Sequence, residues 1–377
     1  MKVCIVGHSA AGLLSSSAGG SERQTALLAR ELAARGHDVS LVVTQLPGPE
    51  RIADGVRVVP AWDPRRGVRF VRALSYRYPR LYRLLRAERA DIYYSRGAGF
   101  HTPFVVRAAR DVHATSVLAL ASDRDLYPSS RAALFAVGHS RLSPLIASLA
   151  HAVYRHWALA AATCVAVQNR EQAAACAALN LRSVVVPNIL VSPAEGLADV
   201  KPARDAIWVG NVHEGRRSKG LEALVKLTQR LPSVDFTIVG RLGGESHAAS
   251  IERLHDLANV HVSGSLAHAE TQRAIAGHRL VINTSPSEGF SNVMLEGWAL
   301  GRPSVTLAVN PSGLLTGDRL GVCAGGDLGS MAAAIVALLA DPEARETMGR
   351  RGLDYVHQTH APERACAAFE GIVRTAP

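Results

Sequence analysis

The sequence predicts an α/β fold of two doubly wound, Rossmann-like domains facing each other across a cleft, and three observations carry that reading. The chain has 377 residues, more than twice a common domain size. Short β-branched runs alternate with helical segments from the first residue, the pattern of parallel sheets joined by crossover helices. The alternation pauses once, at residues 189–204, where "ILVSPAEGLADVKPAR" has proline, glycine and charge but no period, and then begins again. The expected layout is a first domain over 1–190, a second over 201–355, and a helical tail over 356–377.

In the first half, "KVCIVG" reads as a buried strand, followed by a glycine-bearing loop and the helix "GSERQTALLARELAARG", closed by Gly36. Strands are expected at "DVSLVVT", "GVRVVP", "ADIYYSR", "TSVLALAS" and "TCVAVQ", with a short last one at "SVVVPN". The second half repeats the scheme. Strands "AIWVGN", "VDFTIVG", "VHVSG", "RLVINTS" and "PSVTL" alternate with helices "KGLEALVKLTQRL", "ASIERLHDLA", "HAETQRAIAGH" and "FSNVMLEGWALG". From "DPEARETMG" to the end the chain reads as helical throughout. Open sheets of this kind bind ligands outside the carboxyl ends of their strands.

Composition narrows the function classes. A hydrophobic fraction of 48% excludes a disordered chain. The five cysteines form no C-x-x-C pair and read as buried thiols of a reducing, cytoplasmic compartment. The start lacks a signal-peptide core, and no apolar run is long enough to span a bilayer. The net charge of +10 is one-sided: residues 1–200 hold 24 Lys and Arg against 14 Asp and Glu, and the remainder holds 18 of each. Within residues 65–90, nine arginines accompany a single acid, Glu88, with apolar Val68, Val71, Leu74, Tyr78, Leu81, Leu84 and Leu85 at roughly helical spacing. That pattern suits either an ordinary solvated helix face or a peripheral contact with the anionic inner face of a membrane. Pro79 is expected to split it into two shorter helices. Nucleic acid is disfavoured, because no recognised binding motif accompanies the charge.

The chemistry concentrates in "SPSEGFSNVMLEGWALGRPS", residues 285–304. A turn leaves the strand "RLVINTS", and a helix is expected to start near Ser291 or Asn292, both good N-cap types. The amides of Gly289, Phe290, Ser291 and Asn292 would then form an anion site, with Gly289 allowing close approach. Glu296 falls roughly 6–8 Å along that helix, where a carboxylate suits a neutral diol such as ribose better than a phosphate. Glu288, just outside the helix, could accept hydrogen bonds from a second sugar. A diphosphate with a sugar on each end satisfies the whole set. A second cluster, "IWVGNVHEGRRSKG", places Gly210, Asn211, Arg216, Arg217 and Lys219 at a strand–helix junction, where cations suit a leaving diphosphate. A third, "SSSAGGSERQ", is a small-residue loop at a helix start, with Gly19 and Gly20; it is neither G-x-G-x-x-G nor a P-loop, and a plain turn and N-cap would also explain it. No H-E-x-x-H or Cys/His cluster is present, and neither is G-x-S-x-G, so no metal site and no nucleophile–base pair is expected.

In this order the features resemble the retaining GT-B glycosyltransferases of family 4. The family's glutamate–seven residues–glutamate motif is matched by Glu288 and Glu296, and its early glycine pair by Gly19-Gly20 ahead of Glu22. The resemblance covers essentially the whole chain. It implies a GT-B-like fold whose C-terminal helix crosses back to the first domain, and transfer of a sugar from a nucleotide diphosphate sugar to a glycan or lipid-linked acceptor without a metal or other cofactor. Cell-surface polysaccharide or glycolipid synthesis is the pathway it implies. Glu288 would orient the donor sugar, Glu296 would hold the ribose, and Lys219 with Arg216 or Arg217 would meet the diphosphate. Two positions depart from the family's pattern. Asn211 stands where the family has arginine after the first strand of the second domain, and Ser122-Asp123 stand where it often has His-Asp. A nucleotide-sugar epimerase of the same architecture and a non-catalytic sugar-nucleotide-binding protein are the rival readings.

Overall fold

A computed structural model describes residues 1–14, 19–45, 49–63, 65–67, 72–97, 99–126, 144–190, 192–213 and 219–374. The chain divides into two compact units, Met1–Ile189 with Pro362–Pro377, and Leu190–Ala361.

Strands of the first unit are β1 (Lys2–Ser9), β2 (Asp38–Gln45), β3 (Arg51–Ala53), β4 (Val56–Pro60), β5 (Ile92–Arg96), β6 (Thr115–Ala119), β7 (Cys164–Val167) and β8 (Ser183–Val185). They form one sheet in the order β3-β4-β2-β1-β5-β6-β7-β8, parallel except for the β3–β4 edge pair. That edge hairpin has no counterpart in the sequence reading. Three residues, "RIA", are too few for a period-2 pattern, and the Asp54-Gly55 turn that makes the pair overlaps the first residue of the expected strand "GVRVVP". Both faces of the sheet are covered, so its strands are apolar on both sides rather than alternating. Helices Gly20–Ala34 and Pro362–Arg374 cover one face with Leu27, Leu32, Phe369 and Ile372. Helices Tyr78–Glu88 and Thr102–Asp111 cover the other with Leu81, Leu85, Val105 and Ala109.

The basic run does not divide at its proline. A π-helical turn, Ala73–Arg77, runs straight into the helix Tyr78–Glu88, and Pro79, which has no N–H to give to the preceding turn, sits where the π turn changes to α-helix. Leu81 and Leu85 are fully buried against the sheet, while Arg80, Arg83 and Arg86 are exposed. Any membrane contact here would therefore be made by the arginines and not by this part of the apolar stripe. Val68 and Val71 lie outside the described residues. The run's one acid, Glu88, is buried beneath Arg57 and Lys2 and belongs to the fold.

The second unit carries β9 (Arg204–Val209), β10 (Phe236–Val239), β11 (Val260–Gly264), β12 (His278–Asn283), β13 (Ser304–Thr306) and β14 (Gly321–Cys323). All are parallel, in the order β11-β10-β9-β12-β13-β14. Leu224, Leu227, Phe236 and Ile335 pack one face, and Ile275, Val281 and Leu300 the other. The closing helical stretch is two helices. Pro342–Thr359 stays with the second unit, and the helix that returns to the first runs Pro362–Arg374. Pro362 has no N–H to continue the ladder and disfavours helical backbone at Ala361, which separates them. The returning helix is pinned by Glu370, which pairs with Arg35 at 2.8 Å and with His37 at 3.0 Å.

Among the described residues no helix is long and apolar enough to cross a membrane. All five thiols are free, and Cys4, Cys164, Cys176 and Cys366 are buried.

Candidate active site

The second sheet reverses its winding between β9 and β12. From β9 the chain steps outward to β10 and β11, then returns to β12 and steps the other way to β13 and β14. The carboxyl ends of β9 and β12 therefore flank a topological switch point, the usual crevice of an open α/β sheet. The turn Lys219-Gly220 follows β9, and the segment Thr284–Ser291 follows β12.

These two segments are pressed together. A Cβ placed on Gly220, which has φ +75°, would lie 1.8 Å from the carbonyl oxygen of Thr284, so no other residue fits there. Lys219 itself adopts φ +42°, an uncommon conformation for a non-glycine residue. The turn is held by the Thr284 hydroxyl, which donates to the Lys219 carbonyl at 3.0 Å and accepts from Trp208 Nε1 at 3.1 Å. Across the crevice, the Ser285 amide donates to Asn283 Oδ1 at 2.7 Å, turning the chain out of β12.

This scaffold brings Lys219 Nζ to 3.3 Å from Glu288 Oε1. The same carboxylate oxygen accepts from the Ser285 hydroxyl at 2.7 Å. Burial pushes the Glu288 carboxyl up, but the Lys219 ammonium and the Ser285 and Ser291 hydroxyls more than reverse it, so its pKa lies below the ordinary value. Glu288 is thus an anion at neutral pH in a recess that, without its partners, would oppose the charge. Ser291 is the N-cap of the helix Asn292–Ala299, with extended backbone. Glu296 lies inside that helix, 8% exposed, with Oε1 3.8 Å from His268 Nδ1. One crevice thus combines a cation, a carboxylate and a helix N-terminus, and a second carboxylate, Glu296, lies farther along that helix. Chemically, such a set can meet an anionic group and the hydroxyls on either side of it.

The other expected site residues are placed as follows. Phe290 is 7% exposed, and its ring packs edge-on against Trp298 and His360, so the side chain belongs to the core and only its backbone faces the turn. The Asn211 side chain accepts the Arg241 amide at 2.8 Å and ties the loop after β9 to the loop after β10. Gly210 lies beneath Lys219 and Trp208, where a Cβ would come within 3.0 Å of the lysine stem. Arg216 and Arg217 lie outside the described residues. In the first unit, Gly19 and Gly20 open the helix Gly20–Ala34, and Glu22 reaches back to the Gly19 amide at 3.1 Å and accepts from Ser9 Oγ at 2.9 Å. The glycine pair is thus a glutamate-capped helix start. Ser122 and Asp123 follow β6; the Ser122 amide donates to Asp125, and Asp123 accepts from Gln172 Nε2 at 2.9 Å. Thr284, Ser285 and His268 were not singled out by sequence. The serine's spacing to Glu288 was visible, but nothing marked its hydroxyl as aimed at that carboxylate.

Among the described residues no three His, Cys, Asp or Glu side chains form a group that could hold a metal ion.

Residues 203–341 match the family model described as "Glycosyl transferases group 1", and residues 19–189 match the one described as "Glycosyl transferase 4-like domain". Both matches are to glycosyltransferase domains, one in each of the two units. Two lipopolysaccharide core biosynthesis glycosyltransferases of Rhizobium meliloti are similar to it. LpsD is 29% identical over 180 residues, covering 46% of this chain and 51% of the relative, and LpsE is 28% identical over 166 residues, covering 42% and 47%. The match thus spans about half the length of these curated relatives. Among solved structures, sucrose-phosphate synthase from Thermosynechococcus elongatus superposes with a TM-score of 0.73 at 17% identity, covering 99% of this chain and 98% of that one. WaaG, a glycosyltransferase involved in lipopolysaccharide biosynthesis, gives 0.68 at 15% identity over 98% and 100%. Anabaena HepE, solved in complex with UDP, gives 0.66 at 16% identity over 100% of both chains. At these identities the likeness establishes a shared fold, the two-domain GT-B fold. Neither rival reading, epimerase or non-catalytic binder, is favoured by the family match.

Proposed function

We propose that this chain is a retaining group 1 glycosyltransferase that moves a sugar from a nucleotide diphosphate sugar to a glycan or lipid-linked acceptor in cell-surface polysaccharide synthesis. The observation that carries the proposal is the Lys219–Glu288 pair, 3.3 Å apart at the switch point of the second sheet and beside the N-terminus of the helix Asn292–Ala299. A diphosphate at that end would meet the ammonium and the helix dipole, both aimed where charge grows as the sugar leaves. Glu288 would orient the donor sugar, and Glu296, one turn deeper, would hold the ribose hydroxyls. The bond from the anomeric carbon to the diphosphate breaks as the acceptor oxygen attacks the same face. The acceptor's proton passes to the departing phosphate oxygen, so neither a protein nucleophile nor a metal is required.

The acceptor is assigned to the first unit, where the basic excess lies. The names of the Rhizobium relatives and of WaaG support a polysaccharide or lipopolysaccharide pathway, and HepE's complex supports a uridine nucleotide as the first donor to try. Action at the inner membrane face, reached through the exposed arginines of residues 65–90, fits a lipid-linked acceptor.

The test begins with a panel of nucleoside diphosphates and their sugars. A ligand at about 100 times its Kd stabilises by roughly 2.7 kcal/mol, which a thermal-shift measurement resolves easily. The best donor is then incubated with lipid-linked and soluble glycans, and the anomeric configuration of the product is read by NMR. An inverted product would overturn the retaining assignment. If no nucleoside diphosphate stabilises the chain, the donor site is wrong.

A further inference from the structure

The first sheet has its own switch point, between β1 and β5. The chain winds from β1 outward to β2 and β4, then returns to β5 and proceeds through β6 and β7 to β8. Ligands of open α/β sheets lie outside the strand ends at such a place. The residue that ends β5 there is Arg96, and its surroundings are unusual. Nη2 donates to Asn188 Oδ1 at 2.8 Å, while Nε is buried with no hydrogen-bond partner among the described residues. No carboxylate among the described residues pairs with this guanidinium, whereas Arg155 of the same unit has Asp125 at 3.6 Å.

Two further groups with unused capacity stand at the same edge. Gln168, 6% exposed, donates Nε2 to the same Asn188 Oδ1 at 2.8 Å, and this shared acceptor sets the amide beside the guanidinium. Its own Oε1 is buried and unpaired. His101, in the loop that follows β5, has a buried and unpaired Nε2. Burial, with a smaller contribution from His8, holds the imidazole's pKa down to about 4, so the ring is neutral at physiological pH. Buried polar groups are nearly always satisfied, and one left unpaired loses the hydration it would have in water without a replacement. Here a donor that carries charge and an acceptor remain unpaired on either side of one shared asparagine, and a neutral ring nitrogen remains unpaired in the loop after β5. An apolar ligand would satisfy none of them. A sugar bearing an acid group satisfies both kinds, with the anion on the guanidinium and a neighbouring hydroxyl donating to the amide oxygen.

We infer that the carboxyl end of β5 is an anion-selective subsite for the acceptor, in which Arg96 holds a phosphate or carboxylate carried by the acceptor sugar and Gln168 Oε1 accepts from an adjacent hydroxyl. This rests on the reading that the first unit binds the acceptor. It narrows the acceptor class to acidic or phosphorylated glycans.

The full chain is titrated with inorganic phosphate, with D-glucuronate and, as a neutral control, with methyl glucoside, following the arginine Nε–Hε resonances by NMR. The expected result is a saturable shift of the Arg96 resonance with phosphate, glucuronate or both, and none with methyl glucoside. Whichever anion binds identifies the source of the charge. Arg96→Gln should weaken that anion by about tenfold or more, the value of a charge-assisted bond, while Arg96→Lys retains part of it. The Kd for UDP should be the same in wild type and Arg96→Gln, which separates this subsite from the donor site. Absence of UDP binding in both proteins would sink the donor reading and leave this one standing. If Arg96→Gln does not fold, the wild-type resonance still decides, together with Gln168→Leu, which should weaken glucuronate more than phosphate. An Arg96 resonance that neither anion moves, or equal anion affinity in wild type and Arg96→Gln, would show that the guanidinium only braces Asn188.

Discussion

Replacing Lys219 by methionine removes its charge and keeps most of its stem. At 3.3 Å the ion pair with Glu288 is worth about 5 kcal/mol at an effective dielectric constant near 20. The lysine side chain is 40% exposed, so solvent screening reduces the net contribution to about 1–2 kcal/mol. That is the expected loss of stability at pH 7, read as a shift of the urea midpoint. The defect should also depend on pH. Lys219 helps to hold the Glu288 pKa below its unfolded value, so the stabilisation is present above the unfolded carboxyl range, near pH ~4.3, and is lost as pH falls through the folded value. In Lys219→Met burial of Glu288 is opposed only by the serine hydroxyls, and the stability difference from wild type should shrink on acidification. Turnover should fall by about 10²–10³, the usual loss for one donor aimed at a growing charge. Adding Glu288→Gln separates the two roles. The double variant should recover stability, because the buried anion is gone, but not turnover, because the cation at the leaving group is still missing. Turnover in Lys219→Met within about threefold of wild type would refute the assignment, and recovery of turnover in the double variant would make Lys219 only a counter-ion.

Glu296→Ala should weaken binding of the free nucleotide and leave turnover at saturating donor much less affected; unchanged nucleotide affinity by calorimetry would remove Glu296 from the ribose. Glu370→Gln should cost about 1–2 kcal/mol at pH 7 after screening, because hydrogen bonds from Arg35 and then His37 hold its pKa down to about 2. That stabilisation is present above pH ~4 and is lost toward pH 2, so wild type and variant should converge in acid unfolding. Replacing Arg72, Arg80, Arg83 and Arg86 with glutamine should abolish co-sedimentation with anionic vesicles, which in wild type should weaken as salt shortens the screening length from about 10 Å at 0.1 M to about 3 Å at 1 M. Wild type that ignores anionic vesicles at low salt would make the run a solvated face and favour a soluble acceptor.

The sequence by itself determined the fold class, most of the strands and the segment that carries the chemistry. These are local matters: a period of two or 3.6, a proline, a glycine that closes a helix, and two glutamates spaced along one turn and helix. Even there, locality set limits. The hairpin strand Arg51–Ala53 is too short to show a period, and Pro79 reads as a break because nothing in its neighbours says that a π-helical turn leads into it. What each polar group does was decided only by tertiary structure. Lys219 and Glu288 are 69 positions apart, and their pairing depends on β9 and β12 being neighbours at a switch point. Phe290 and Asn211 look like ligand contacts beside their motifs, yet one ring fills a core and the other amide ties two loops. Arg96 looked like one arginine among many in a basic half of the chain. Its distinction is the absence of a carboxylate partner among the described residues, and a missing long-range partner leaves no mark on the sequence around it.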